Sequence, residues 1–140
     1  MRGVSIKAVA IALVATLGLD IVTGMVLTLL LGGDQLPAMS TGDAKAREAA
    51  MLALANSPAF LGWSSVLGTL TTVLGGYLAA RMAQYVPYMN ALAFGLAATV
   101  LSLPMSSSVP RWLSVLGIAI TVPAALVGGH IARRERRRRF

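Results

Sequence analysis

The sequence predicts an all-α fold: an integral membrane four-helix bundle built from two duplicated helical hairpins, plus a short outer surface helix. Three observations carry this. Hydrophobic residues make up 56% of the 140 positions and charged residues only 12%, against about 25% charged in soluble domains. Apolar runs long enough for a bilayer recur along the chain, bounded by proline, glycine or basic residues. The second and fourth of these runs also repeat one another. A soluble fold of this size leaves about a third of its unfolded surface in water, which a chain this apolar cannot tolerate. Lipid solvates such a surface directly.

The first span covers residues 8–31, behind Arg2 and Lys7. A signal peptide has the same basic start but a core of only about 7–15 residues and a small-x-small cleavage site. This run is longer, and Gly32-Gly33-Asp34-Gln35 follows it, so it reads as an uncleaved helix. Residues 33–57 form an outer loop. Within it, Ser40-x-x-Asp43 has capping-box spacing ahead of the alanine-rich segment Ala44 to Ala55, predicting a short helix on the outer surface. Asn56-Ser57-Pro58 supplies a cap and a first-turn proline, which opens the second span, residues 59–82.

Tyr85-Val86-Pro87-Tyr88 predicts a tight turn, with the residue before proline restricted. The third span is residues 87–103, ended by Pro104, and Met105 to Val109 make a second outer loop. The fourth span, 112–132, follows Pro110 and contains Pro123, where a missing backbone donor predicts a bend. A basic tail, 133–140, closes this single transmembrane domain.

Lysine and arginine counts set orientation. Arg2, Lys7, Arg81 and the tail arginines Arg133, Arg134, Arg136, Arg137, Arg138 and Arg139 share one side; Lys45, Arg47 and Arg111 hold the other. Both termini are therefore expected in the cytoplasm. The net charge of +7 is concentrated in the tail, beside an apolar span. That placement reads as a topology signal and anionic-lipid contact, not as nucleic-acid binding.

Spans two and four repeat. Trp63-Ser64-Ser65-Val66-Leu67-Gly68 aligns with Trp112-Leu113-Ser114-Val115-Leu116-Gly117, and both spans close with Gly-Gly-x-x-Ala-x-Arg, Gly75 to Arg81 and Gly128 to Arg134. The two tryptophans, the only ones in the chain, fall in register. Small residues recur four apart in each span, and Gly24, Gly68, Gly75, Gly76, Gly95, Gly117, Gly128 and Gly129 are the candidate helix-packing positions.

In the first span the stripe reads Ala8, Ala12, Thr16, Asp20, Gly24 and Thr28, so Asp20 is expected near mid-membrane on the packing face. An aspartate there costs about 2.5–3.5 kcal/mol on insertion scales. No lysine or arginine shares its depth. Thr69, Thr71, Thr72 and Thr121 are its expected neighbours, and Asp20, Thr16, Thr72 and Thr121 form the candidate intramembrane proton or ion site. Two roles stay open: an acid that binds helices together through threonines, or a carrier of protons or cations.

Catalytic chemistry finds no purchase. The chain has no cysteine and one histidine, His130. It has no nucleophile–histidine–acid set and no phosphate-binding glycine loop, so no enzyme activity, metal or cofactor is expected. Tyr77, Tyr85 and Tyr88 on one side and Trp63 and Trp112 on the other suit interfacial belts.

The Gly75-Gly76-Tyr77-x-Ala79-Ala80-Arg81 block, echoed at Gly128, resembles that of small uncharacterised four-helix bacterial inner-membrane proteins with a Gly-Gly-Tyr-x-Ala-x-Arg motif. The resemblance implies a multi-pass protein of the bacterial inner membrane and no particular activity. An acid in the first of four helices is also similar to the small multidrug-resistance exporters, in which such a carboxylate exchanges drug and proton. Asp20 is the sole matching position; those exporters use glutamate, are shorter, and lack the long outer segment. The leading expectation is a non-enzymatic packing, accessory or assembly component, as a homo-oligomer or within a larger membrane complex. The alternative is a small proton- or cation-linked transporter or ion pathway using Asp20.

Overall fold

The computed structural model describes residues 3–83, 86–103 and 111–137, with Leu113 and Arg137 described in their backbone only. Arg2, Tyr85, the loop Met105 to Val109 with Pro104 and Pro110, and Arg138 and Arg139 lie outside the described residues. Those described form six helices and no strand: α1 (Ile6–Leu31), α2 (Leu36–Met39), α3 (Ala44–Ala55), α4 (Pro58–Met82), α5 (Pro87–Ser102) and α6 (Arg111–Arg137).

Local chemistry sets the helix ends. The Ser5 hydroxyl accepts from the Ala8 amide at 3.3 Å and starts α1. Ser57 does the same for Phe60 at 3.3 Å in α4, with Pro58 in the first turn, where its missing N–H is not needed. Asn56 closes α3 by donating its side-chain amide to the Leu52 carbonyl at 2.8 Å. At the start of α3 the structure differs from the expected capping box. Asp43 itself is the cap, accepting from Lys45 N at 3.0 Å, while Ser40 donates to Pro37 O at 2.8 Å. Ser40 is occupied because a short helix the sequence pattern did not signal, α2, ends there. Val86 also departs from expectation: it adopts φ 46°, left-handed backbone instead of extended. Such strain in a β-branched residue costs on the order of 1–3 kcal/mol. Asn90 holds it in place, with both its backbone and side-chain N–H groups donating to Val86 O, at 3.2 and 3.0 Å.

Three helices are long and apolar enough to cross a membrane: α1, α4 and Ser114–Arg136 of α6, with mean hydropathies of 2.2, 1.2 and 1.9 in their best windows. Only 17%, 17% and 28% of those windows is buried inside the protein. Val14, Leu29, Leu30 and Val115 are all more than 60% exposed, so the solvent that suits this surface is hydrocarbon. At 16 residues, α5 is shorter, about 24 Å at 1.5 Å per residue.

α1, α4, α5 and α6 pack side by side. α4 lies most closely against α6, and α1 and α6 both pack on the α4–α5 pair. α4 and α6 run parallel: Ser64 and Leu116 lie toward one end of the pair, Tyr77 and Arg81 meet Glu135 at the other, and Gly76 against Ala125 and Gly128 against Val73 make close contacts between them. One end of the assembly, the basic end, holds Ser5, Arg81, Arg133 and Arg134; the other, the loop end, holds α2 and α3.

The core occupies the basic half. Val9, Ala12, Ala79, Phe94 and Ala125 form one buried cluster, and Ala80, Ala91 and Ala132 another. Glycine is required here by proximity. A Cβ on Gly75 would meet the Phe94 ring at 2.1 Å, on Gly76 the Ala125 carbonyl oxygen at 2.1 Å, on Gly128 the Val73 oxygen at 2.0 Å, and on Gly129 the Ala91 Cβ at 2.7 Å. Gly95 is looser, 3.1 Å from Ala125 Cβ. The two Gly-Gly pairs therefore make different contacts, one on Phe94 and Ala125, the other on Val73 and Ala91.

At the basic end, α6 continues as helix to Arg137, through most of the segment expected to be a tail. Arg136 reaches across to α4 and donates to the carbonyl oxygens of Ala80 at 3.1 Å, Arg81 at 2.7 Å and Ala83. These are the acceptors that a helix C-terminus leaves without intrahelical partners, and a cation there also opposes the helix dipole. Arg81 donates to Tyr77 Oη and lies 3.7 Å from Glu135, to which Tyr77 donates at 2.7 Å. Arg133 stacks over the Tyr88 ring, whose hydroxyl lies 2.6 Å from His130 Nδ1. Arg136, and in part Arg81, thus bind protein in this structure, while Arg133 and Arg134 remain exposed.

Candidate functional site

Beside Gly24, Gly68 and Gly117, toward the loop end, the four helices leave open space. Between them lies a cavity of about 420 Å³, to which every one of them contributes: Asp20 from α1; Ser64, Ser65, Gly68, Thr69 and Thr72 from α4; Ala98 and Ser102 from α5; and Leu116, Gly117, Ile120, Thr121 and Ala124 from α6. Ser64, Ser102 and Leu116 lie toward the loop end of their helices. Thr72, Ala98 and Ala124 lie deeper, just beyond the Phe94–Gly75 and Gly76–Ala125 contacts that close the basic half.

Asp20 stands at that depth. It is about 21 Å from the start of α1 and about 17 Å from its end at 1.5 Å per residue. Its side chain is exposed rather than packed, and it faces the cavity. The expected stripe explains this departure. A four-residue repeat on a 3.6-residue helix advances about 40° per step. Ala8, Ala12 and Thr16 are buried against neighbours, but Asp20, three steps on from Ala8, has rotated out of that seam.

The hydroxyl that meets Asp20 is Thr71, at 2.6 Å from Oδ1. Thr71 is itself 5% exposed. The other three expected site residues do not touch the acid. Thr16 donates to Ala12 O at 2.9 Å, Thr72 to Gly68 O at 2.8 Å, and Thr121 to Gly117 O at 2.7 Å. Thr16 is buried in the basic half, while Thr72 and Thr121 line the cavity.

The direction of these hydrogen bonds fixes the electrostatics of the wall. Ser64 and Ser65 donate to Leu61 O at 3.2 and 2.7 Å, Thr69 to Ser65 O at 2.8 Å, and Ser102 to Thr99 O at 2.8 Å. A hydroxyl has one proton and two acceptor lone pairs. With each proton given to its own helix, these groups turn lone pairs to the cavity. Among the described residues the lining is neutral apart from Asp20, with no lysine, arginine or histidine in it. The wall therefore sets six hydroxyl groups and one carboxyl group among apolar side chains, Ala98, Leu116, Ile120 and Ala124, and most of its exposed area is apolar.

Gly24, Gly68 and Gly117, read from sequence as packing positions, have nothing within 4 Å of where a Cβ would stand. Gly68 and Gly117 line the cavity, beyond the level at which α4 and α6 touch. Sequence reasoning missed Phe94, whose ring packs against Gly75 in the buried cluster of the basic half, and Asn90. Asn90 is fully buried and accepts from Ser5 N at 2.7 Å, joining the start of α1 to α5. A lone asparagine in an otherwise apolar 16-residue helix was the available signal.

Among the described residues no group of three or more His, Asp or Glu side chains could hold a metal ion. No family model, curated protein or solved structure matches the chain.

Proposed function

We propose that the chain is a non-enzymatic, four-span protein of the bacterial inner membrane, with both termini cytoplasmic, that takes up a proton or small cation at Asp20 from the outer side. The cavity that sets Asp20 among six hydroxyl side chains carries this reading. A carboxyl group at mid-span, beside hydroxyl oxygens and with no cationic side chain among the described lining residues, offers a cation part of what water would otherwise supply. Intramembrane acids facing such cavities mark ion or proton paths. The close helix contacts of the basic half make a seal below the site, as an alternating or gated path requires. α5 serves as the fourth span, its short length accommodated by local bilayer thinning. The basic clusters place the loop end outside, and the tandem Trp-to-Arg repeat supports descent from a duplicated hairpin. Exposed Arg133 and Arg134 suit anionic headgroups.

The test is flux in proteoliposomes. Wild-type protein should carry protons or a monovalent cation down an imposed gradient. Asp20→Asn, nearly the same in shape but unable to titrate or bear charge, should fall to the protein-free background while melting normally. No wild-type flux of H⁺, Na⁺ or K⁺ under any gradient would remove the reading.

A second reading is an accessory or assembly component, as a homo-oligomer or in a larger membrane complex. One observation favours it: an apolar groove of about 510 Å³ between α1 and α4, lined by Val22, Val26, Leu27, Leu30, Trp63 and Leu67.

A further inference from the structure

The Thr71 hydroxyl has one proton and two acceptors in reach. Its oxygen lies 2.6 Å from Asp20 Oδ1 and 2.9 Å from Gly68 O. It cannot donate to both. If Asp20 is a carboxylate, the Thr71 proton belongs to Asp20, and its contact with Gly68 O holds no hydrogen. If Asp20 carries a proton, both short contacts become hydrogen bonds at once: the acid O–H donates to Thr71 Oγ1, and the Thr71 O–H turns to Gly68 O. We propose that Thr71 is the positioning residue of the Asp20 site, a hydroxyl whose hydrogen bond reverses direction when Asp20 gains or loses its proton.

The surroundings make this reversal workable. Gly68 O does not depend on Thr71, because the Thr72 hydroxyl also donates to it at 2.8 Å. Thr71 is buried while Asp20 faces the cavity, so protons arrive on the acid side and the threonine answers from the protein side. Among the described residues that line the cavity, none but Asp20 is titratable or charged. The cavity residues that α4, α5 and α6 contribute around it are all neutral; Arg81 and Arg133 lie in the basic end, and Arg111 begins α6 at the loop end, outside the cavity lining. The step balances simply. A hydronium ion in the cavity transfers its proton to an Asp20 oxygen and leaves as water, and the Thr71 O–H rotates without breaking a covalent bond. Because one hydroxyl serves both states, neither leaves the buried oxygen without a partner, a loss that otherwise costs about 1–3 kcal/mol.

This inference rests on Asp20 as the proton site, and the experiment separates the two. Infrared spectra of the full chain in lipid would be recorded over a pH series for wild type, Asp20→Asn, Thr71→Val, Thr71→Ser and Thr99→Val. Wild type should show a carboxylic-acid carbonyl band that titrates and is absent from Asp20→Asn. Thr71→Val should keep the band but move its position and its titration midpoint. Thr71→Ser should restore both, and Thr99→Val, which removes a back-bonded threonine of α5 outside the cavity lining, should leave both where they were. A titrating Asp20 band indifferent to Thr71→Val would overturn the relay and spare the proton site. If wild type has no titrating band that Asp20→Asn removes, the proton site itself fails, and the relay with it. Equal shifts from Thr71→Val and Thr99→Val would also overturn the relay, by showing a general response of the bundle. Should Thr71→Val not fold, failure of Thr71→Ser to reproduce the wild-type band and midpoint would serve as the refuting result.

Discussion

Gly76→Ala isolates the contact on which the seal depends. The new Cβ would stand 2.1 Å from the Ala125 carbonyl oxygen and 2.7 Å from both its carbonyl carbon and Cα, where ordinary contact begins near 3.4 Å. These are backbone atoms of α6, so no rotamer change relieves the clash; the helices must separate by about 1 Å, and overpacking of this kind costs about 1–3 kcal/mol. Alanine also gains about 0.5–1 kcal/mol over glycine within a helix, which would blur the result. Gly68→Ala removes that ambiguity. It lies two turns away on the same helix and carries the same propensity gain, with nothing within 4 Å of its Cβ. The difference between the two variants is then the clash alone, about 1–3 kcal/mol, or a Tm lower by about 3–12 °C for a chain of this size. Thermal unfolding of both in mild detergent, followed by intrinsic tryptophan fluorescence, measures it. If the two melt together, α4 and α6 do not touch at Gly76 and the sealed half does not exist as described.

Two further outcomes follow from the same packing. Asn90→Ala leaves the Ser5 amide without its acceptor and Val86 O without the side-chain donor; stability should fall by about 1–3 kcal/mol, and hydrogen exchange should quicken at the first turn of α1 before it does in α4. For topology, single cysteines introduced by Ser40→Cys and Arg134→Cys, both exposed positions, should label with an impermeant reagent from opposite sides of the membrane, Ser40→Cys from outside. Labelling of both from one side would exclude the four-span arrangement.

How much of this was legible in the sequence depends on the range of the physics involved. Helix existence is local: apolar runs, Ser57-Pro58 and the alanine-rich segment were enough to place α1, α3 and α4 to within a residue or two. Caps are nearly local, yet Asp43 displaced Ser40 because α2 claimed the serine. Gly75, Gly76, Gly128 and Gly129 were visible as a motif, but the motif does not say at which level two crossing helices meet. The same small-residue pattern therefore put Gly24, Gly68 and Gly117 in the packing set, although their surroundings are open. Asp20 was conspicuous as the lone acid at its depth. Its partner was not, because Thr69, Thr71 and Thr72 differ only in the direction each takes from the α4 axis, about 100° per residue. That direction matters only once α1 is docked.

The seal and the cavity are two consequences of one contact. Helices that touch through glycine backbone must cross, and membrane helices do so at about 20–40°. Gly76 marks the crossing of α4 with α6, and Ser64 lies twelve residues along α4, about 18 Å at 1.5 Å per residue. Over that length, axes crossing at those angles drift apart laterally by about 6–12 Å. A drift of that size is more than side chains as small as Ser64, Gly68, Thr72, Gly117 and Thr121 can fill. Small residues at the crossing draw the helices together; small residues beyond it leave a space, and in this chain hydroxyl groups and one carboxyl group stand among the apolar side chains that line it. Replacing the glycines of the crossing would thus disturb both halves together, loosening the floor beneath Asp20 and changing the width of the vestibule above it.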